Sequence, residues 1–226
     1  MIKPRVGIVD YDMGNMFSVV RACEQVDLVP VLISDKNHFN AFDALILPGV
    51  GAFGVAMENL KRLDLIDAIK KFIAGGKPFM GICLGFQLLF TESEEFGAFN
   101  GLNIFKGQVV KFPANNDKGK VRKIPHVGWS QIFVSDTGNK RRNPFLNGIS
   151  NGEFMYFVHS YYVLPVSNEI IASSTSYEGI KYCSSISENN LFACQFHPEK
   201  STTQGIQIYK NFADIINNIK ENEVLK

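Results

Sequence analysis

From Arg5 to Phe90, short unbroken apolar runs alternate with segments whose apolar positions recur every third or fourth residue. Arg5-Val6-Gly7-Ile8-Val9, Val29 to Ile33 and Asp43 to Leu47 have the aliphatic, β-branched content of strands. The last lacks any polar alternation, as expected of a strand covered on both faces. Ser18 to Val26 reads as a helix. So does Val55 to Ala74, where Met57, Leu60, Leu63, Ile66, Ile69 and Ile73 share a face, with a break expected near Asp64. Gly75-Gly76 ends that helix. A further apolar run reaches Gly81-Ile82-Cys83-Leu84-Gly85 and leaves as a helical pattern with Phe86, Leu89 and Phe90 on one face. Strands alternating with helices predict an α/β fold with a central, mostly parallel sheet flanked by helices.

Beyond Gly97 the pattern changes to short strands between turn-rich loops: Asn103-Ile104-Phe105, Gly107 to Phe112, Trp129 to Val134, Phe154 to Val163 and Ile170 to Ser173. These predict an additional antiparallel sheet. Pro113 to Lys120 reads as a polar, mobile loop. Leu191 to Phe196 returns to a buried-strand pattern, and a final amphipathic helix is expected over Gly205 to Lys220. With no internal repeat or linker, residues 1–226 are expected to form a single domain.

Composition narrows the function. Of 226 residues 46% are hydrophobic and 20% charged, and the net charge of +1 comes without a basic stripe. Lys140-Arg141-Arg142 is too short a cluster for a nucleic-acid footprint. No apolar stretch reaches the roughly 20 residues of a membrane helix. The first apolar run stops at Asp10, too early for a signal peptide, so a cytoplasmic protein is expected. The four cysteines form no C-x-x-C pair, and no His/Cys cluster has zinc-like spacing, so neither a disulfide framework nor a metal is expected. Cys23 and Cys194 lie in apolar patterns, as buried thiols do, and Cys183 carries no special signal.

Cys83 differs. It lies between Gly81 and Gly85 on a tight strand-to-helix turn, the layout of a nucleophile elbow. A cysteine nucleophile needs a base, and the base an orienting group. His38 lies in a polar segment, and His126 and His159 in apolar surroundings suited to structural histidines. His197 is followed by Pro198, which disfavours helical backbone before it, and by Glu199. Residues two apart on extended chain face one side, so imidazole and carboxylate can meet there. Oxyanion donors would be the N–H of Leu84 and an N–H from the turn Gly49-Val50-Gly51, which also follows a core strand.

Together these residues resemble the class I, triad-type glutamine amidotransferases. Gly81, Cys83, Gly85 and Gln87 match that family's Gly-x-Cys-x-Gly-x-Gln pattern, and His197-Pro198-Glu199 its late His-Pro-Glu. Within the family the chain looks most like glutaminase subunits of imidazole glycerol phosphate synthase. The evidence is Asp10-Tyr11-x-x-Gly14-Asn15, Pro48 to Phe53, Pro125 to Trp129, Tyr156 to Tyr161 and Gln195 to Ser201. The resemblance implies a flavodoxin-like class I amidotransferase fold in which Cys83, His197 and Glu199 hydrolyse glutamine through a thioester, with Val50, Gly51 and Leu84 at the oxyanion. It implies glutamine binding by Gly49, Gln87, Ser160 and Tyr161, and no metal or organic cofactor.

The implied partner is a (β/α)8-barrel cyclase subunit in a heterodimer, met near Asn15, Trp129 and Lys200. There ammonia would convert a phosphoribulosyl formimino-carboxamide ribotide (PRFAR) into imidazole glycerol phosphate and an aminoimidazole carboxamide ribotide (AICAR). Asp12, Met16 and Ser130 depart from the family pattern, which has glycine, leucine or isoleucine, and asparagine there. They lie toward the expected partner face, so the alternative is a paralogue supplying ammonia for amidino-sugar synthesis on bacterial surface glycans. A different class of reading is a non-catalytic scaffold or a cysteine hydrolase of the same fold.

Overall fold

The computed structural model describes residues 3–115, 119–135 and 143–224. Lys140-Arg141-Arg142 and the centre of the Pro113 to Lys120 loop lie outside them. The first half comprises β1 (Arg5–Val9), α1 (Met16–Glu24), β2 (Val29–Ile33), β3 (Ala44–Leu47), α2 (Phe53–Arg62), α3 (Ile66–Ala74), β4 (Phe79–Ile82) and α4 (Leu84–Gln87). There follow β5 (Glu92–Ser93), β6 (Phe99–Asn100), β7 (Gly107–Lys111), β8 (His126–Val134), β9 (Glu153–His159), β10 (Tyr161–Pro165), β11 (Ile171–Tyr177), β12 (Ile180–Glu188), β13 (Leu191–Cys194) and α5 (Thr202–Val224).

The strands join in the order β2-β1-β3-β4-β13-β12-β10-β7-β5-β6, with β11, β8 and β9 branching from β12. From β2 to β13 every pairing is parallel. Alternating strand residues supply two cores, one on each face. Val6, Ile8, Ala44, Ile46, Met80 and Ile82 join α1 and α5, while Leu45, Leu47 and Phe79 join α2 and α3. The expected break at Asp64 separates α2 from α3, and Asp64 has φ +56, incompatible with one continuous helix.

Four expectations need correction. The helical pattern after the elbow yields only the four residues of α4. The carbonyls of Leu88, Leu89 and Phe90 accept N–H groups from Leu102 to Phe105. Those bonds stop the helix, and they draw Asn103 to Phe105 into a connecting loop in place of a strand. Phe154 to Val163 is two strands: at Ser160 the chain passes from β9, paired with β8, to β10, paired with β7 and β12. Finally, β11 runs past Ser173 to Tyr177, and the strand-like run at Lys181-Tyr182-Cys183 belongs to the nine-residue β12. Their buried hydroxyls satisfy one another, Ser173 Oγ lying 2.9 Å from Ser184 and 2.6 Å from Ser185, so polar residues occur where alternation predicts apolar ones.

A buried polar chain crosses the antiparallel region. His126 Nε2 meets Ser130 Oγ at 2.9 Å and its Nδ1 meets Tyr182 Oη at 3.1 Å. Tyr182 Oη also meets His159 Nε2 at 3.2 Å, and His159 Nδ1 meets the Tyr161 carbonyl at 2.8 Å. A carbonyl only accepts, so His159 carries its proton on Nδ1. With both rings neutral, Tyr182 donates to His159, His126 donates to Tyr182, and Ser130 donates to His126. Burial pushes His126 down to about 4 and His159 to about 3.

Two outcomes follow. A Cβ at Gly85 would lie 1.8 Å from the Leu47 carbonyl oxygen, where α4 crosses the end of β3. Gly85→Ala should therefore destabilise the chain by about 3 kcal/mol or more in urea unfolding. The second concerns acid. The unfolded histidines titrate near the ordinary value of about 6.5, above their folded values, so the unfolded state binds more protons. Their contribution is complete above that pH and is lost as pH falls toward about 4 and about 3. Unfolding free energy should fall over this window, less steeply in His126→Gln/His159→Gln, and nitrogen–proton NMR should find both rings as Nδ1–H tautomers.

Candidate active site

The site stands on the carboxyl ends of three neighbouring parallel strands, where open α/β sheets place their crevices. Register pairs Leu47 of β3 with Gly81 of β4, and Ile82 of β4 with Cys194 of β13. The chain leaves β4 directly into Cys83, whose N–H donates to the Cys194 carbonyl at 2.8 Å. Cys83 adopts φ +54, ψ −106, a conformation L-residues rarely hold, enforced by packing on both sides of the elbow. Its side chain is buried, 6% exposed, with Sγ 3.7 Å from Gln195 Nε2 and 4.0 Å from the Val158 carbonyl.

From β13 the chain runs two residues further to His197. Pro198 keeps His197 extended at φ −101, ψ 94 and starts a single turn that brings Glu199 back beneath it. His197 Nδ1 lies 2.7 Å from Glu199 Oε1, both side chains being 3% exposed. Burial alone would depress this imidazole, but the proximity of Cys83, then the hydrogen bond and charge of Glu199, raise it well above the ordinary histidine range. The loop is pinned from two sides. His197 N–H donates to the Tyr156 carbonyl at 2.9 Å, and Ser201 Oγ donates to the His197 carbonyl at 2.6 Å. Cys23, Cys183 and Cys194 are also free and buried, with burial raising each thiol and Cys23 reaching about 12.

A pocket of about 190 Å³ opens beside Cys83, lined by Val50, Gly51, Leu84, Gln87, Ser160 and Tyr161 as well as Glu95, Val158 and His159. The structure thus gathers most of the expected site residues in one cavity. Gly49 stands just behind it, close against Tyr11 Oη, where a Cβ would lie 2.2 Å away. Its carbonyl accepts the Leu84 N–H at 3.3 Å, so in this conformation that N–H is engaged with protein. Gln87 does not point freely into the pocket; its Nε2 donates to the Tyr161 carbonyl at 2.9 Å and to Gln195 Oε1 at 3.0 Å.

Sequence reasoning missed Glu95 and Gln195. Glu95 lies in an acidic run from Glu92 that carries no motif, and its Oε2 accepts the Phe53 N–H at 2.7 Å and caps α2. Desolvation raises its pKa, partly opposed by that hydrogen bond. Gln195 sat inside a motif whose signal came from His197. Among the described residues, no group of three His, Cys, Asp or Glu could hold a metal ion, and no helix is long and apolar enough to cross a membrane.

Asn15, Trp129 and Lys200 are all exposed. Asn15 precedes α1, which packs against the Pro198–Lys200 turn. Trp129 packs edge-on against Tyr156, whose carbonyl holds the His197 N–H. Val127, Trp129 and Phe133 of β8 and Phe154 of β9 form an exposed apolar stripe. Asp12 adopts φ +64, the left-handed conformation that glycine takes freely and aspartate tolerates, which accounts for the departure there.

The family model for class-I glutamine amidotransferases matches residues 8–216. Among similar curated proteins is the imidazole glycerol phosphate synthase subunit HisH of Caldanaerobacter subterraneus, 47% identical over 93% of this chain and 98% of the relative. The subunit of the same name from Syntrophotalea carbinolica is 44% identical over 92% and 98%. Two solved structures share the fold at lower identity. One is PurLQS from Thermotoga maritima, 20% identical with a TM-score of 0.71, covering 95% of this chain and 100% of that one. The other is the glutaminase domain of CTPS from Trypanosoma brucei, 16% identical with a TM-score of 0.67, covering 96% and 94%. The expected fold class is the observed one, and the chain belongs to the class-I glutamine amidotransferase family, alongside the HisH subunits of imidazole glycerol phosphate synthase.

Proposed function

We propose that the chain is the glutaminase subunit of an imidazole glycerol phosphate synthase, working in histidine biosynthesis as one catalytic domain. The observation that carries the reading is the buried His197–Glu199 pair beside Cys83 at the mouth of a substrate-sized pocket. His197 takes the Cys83 proton, and the sulfur adds to the side-chain amide carbon of glutamine. The tetrahedral intermediate collapses as His197 protonates the leaving nitrogen, giving ammonia and a γ-glutamyl thioester. Water then adds to the thioester, giving its proton to His197, and glutamate leaves as the sulfur is regenerated. Glu199 keeps the imidazole oriented and supports its charged form.

In the pocket, Glu95 offers an oxygen to the substrate's ammonium group, while Gly49, Gln87, Ser160 and Tyr161 hold the remainder. The oxyanion falls to Leu84 and to an N–H of Val50 or Gly51. Because Leu84 N–H is spent on the Gly49 carbonyl, turnover requires the Gly49 to Gly51 peptide to turn. Gly51, at φ +111, has the backbone freedom such a turn needs.

Ammonia released into water becomes ammonium and loses its lone pair, so it is best passed directly to a second active site. The acceptor is a (β/α)8-barrel cyclase that docks around Asn15, Trp129 and Lys200 in a heterodimer. It consumes ammonia in converting PRFAR into imidazole glycerol phosphate and AICAR. The exposed apolar stripe beside Trp129 supports such an interface. Buried free thiols accord with work in the cytoplasm.

With the cyclase and its ribotide present, the chain should release glutamate and yield imidazole product. Without the partner, glutamine turnover should drop by at least ~100-fold, the scale of losing an oxyanion donor. Cys83→Ala should abolish glutamate release in both settings, while free ammonia should still sustain the cyclase. Cyclase-independent turnover at full rate would contradict the proposed peptide turn.

A further inference from the structure

Gln195 is fully buried, and its side chain bridges the glutamine pocket and the nucleophile. A buried amide could present either end to Cys83, but the neighbouring hydrogen bonds leave one choice. The Tyr161 carbonyl, an acceptor only, faces the amino end of Gln87 at 2.9 Å. The other proton of that amino group goes to Gln195 at 3.0 Å, so the Gln195 oxygen lies there. The Gln195 amino group is left facing Cys83, 3.7 Å from Sγ. Rotating the Gln87 amide would set its oxygen against the Tyr161 carbonyl, and rotating that of Gln195 would set its amino group against the amino group of Gln87. The backbone adds rigidity, since the Gln195 N–H donates to Ser184 on β12 at 2.9 Å.

We propose that Gln195 is a catalytic donor to the Cys83 sulfur, bonding the thiolate before attack and again as the sulfur leaves the thioester. This rests on Cys83 being the glutaminase nucleophile. Cys83 is 6% exposed, so water solvates a charge there little, and a fixed N–H supplies what water cannot. Unlike the His197 imidazolium, a neutral amide has no proton to transfer and cannot quench the nucleophile. In deacylation, water adds to the thioester carbon and gives its proton to His197. The C–S bond then breaks with its electron pair moving to sulfur, where the Gln195 amino group meets it.

The test uses the full chain carrying Gln195→Met, which keeps length but loses the donor, or Gln195→Glu, which still accepts from Gln87 but turns an oxygen toward sulfur. Cys83 alkylation by iodoacetamide and its ultraviolet thiolate absorbance are followed at neutral pH, with Cys83→Ala as the blank. Alkylation should slow ~10- to 100-fold in Gln195→Met and at least as much in Gln195→Glu, with thiolate absorbance falling in parallel. With the cyclase bound, Gln195→Glu, which keeps the contact with Gln87, should lower kcat while KM for glutamine stays within about twofold.

A merely space-filling Gln195 would leave thiolate absorbance unchanged and raise KM while kcat holds. Alkylation of Gln195→Glu within about threefold of the unaltered chain overturns the proposal, and that variant decides alone if Gln195→Met fails to fold. Glutamate release surviving in Cys83→Ala would overturn the nucleophile reading itself. A reactive, essential Cys83 indifferent to both Gln195 variants would overturn only the role of Gln195.

Discussion

The structure depends on the parallel pairing of β4 with β13. These strands lie far apart in sequence, and the Ile82–Cys194 register with the Cys83 N–H bond to the Cys194 carbonyl makes them neighbours at their carboxyl ends. A one-residue slip would turn every side chain of β13 to the opposite face and carry His197 away from the thiol. The apolar residues on both faces of the two strands prevent that slip, because each face is buried against its own helical layer. The spacing of Cys83 and His197 is thus inherited from core packing.

The antiparallel branch performs a second task. It brings β9 over the elbow, so that Val158 reaches the sulfur and Tyr156 holds the His197 N–H. The same strand pairs with β8, where Trp129 lies opposite Tyr156. A partner resting on the exposed stripe of β8 would therefore press on a strand that contacts both Cys83 and His197. The buried Ser130–His126–Tyr182–His159 chain ends on the Tyr161 carbonyl, which orients Gln87. Apolar and polar contacts alike thus connect that face to the pocket.

Burial divides the titratable groups by use. Cys23, Cys183 and Cys194 are enclosed without a cationic neighbour, and burial holds their thiols protonated and inert. His126 and His159 are held neutral by the same desolvation. His197 is equally enclosed, but Cys83 on one side and Glu199 on the other reverse the sign of the shift. The same enclosure leaves an imidazole neutral or favours its charged form according to whether an anion stands within reach.

The sequence by itself determined the parallel α/β half, the elbow and the His197–Glu199 pairing, because these rest on local rules. Unbroken apolar runs demand burial on both sides, glycines two residues either side of Cys83 permit the turn, and Pro198 fixes the extended step. Tertiary structure alone decided the rest. Whether Leu88 to Phe90 continued a helix depended on Leu102 to Phe105 taking their carbonyls. Whether Ser173, Ser184 and Ser185 could lie inside depended on their pairing across strands. Glu95 and Gln195 entered the site only because distant segments delivered Phe53 and Gln87 as their partners. A hydrogen bond between remote residues leaves no periodicity in the chain, so the polar half of the site appears only once the strands are in register.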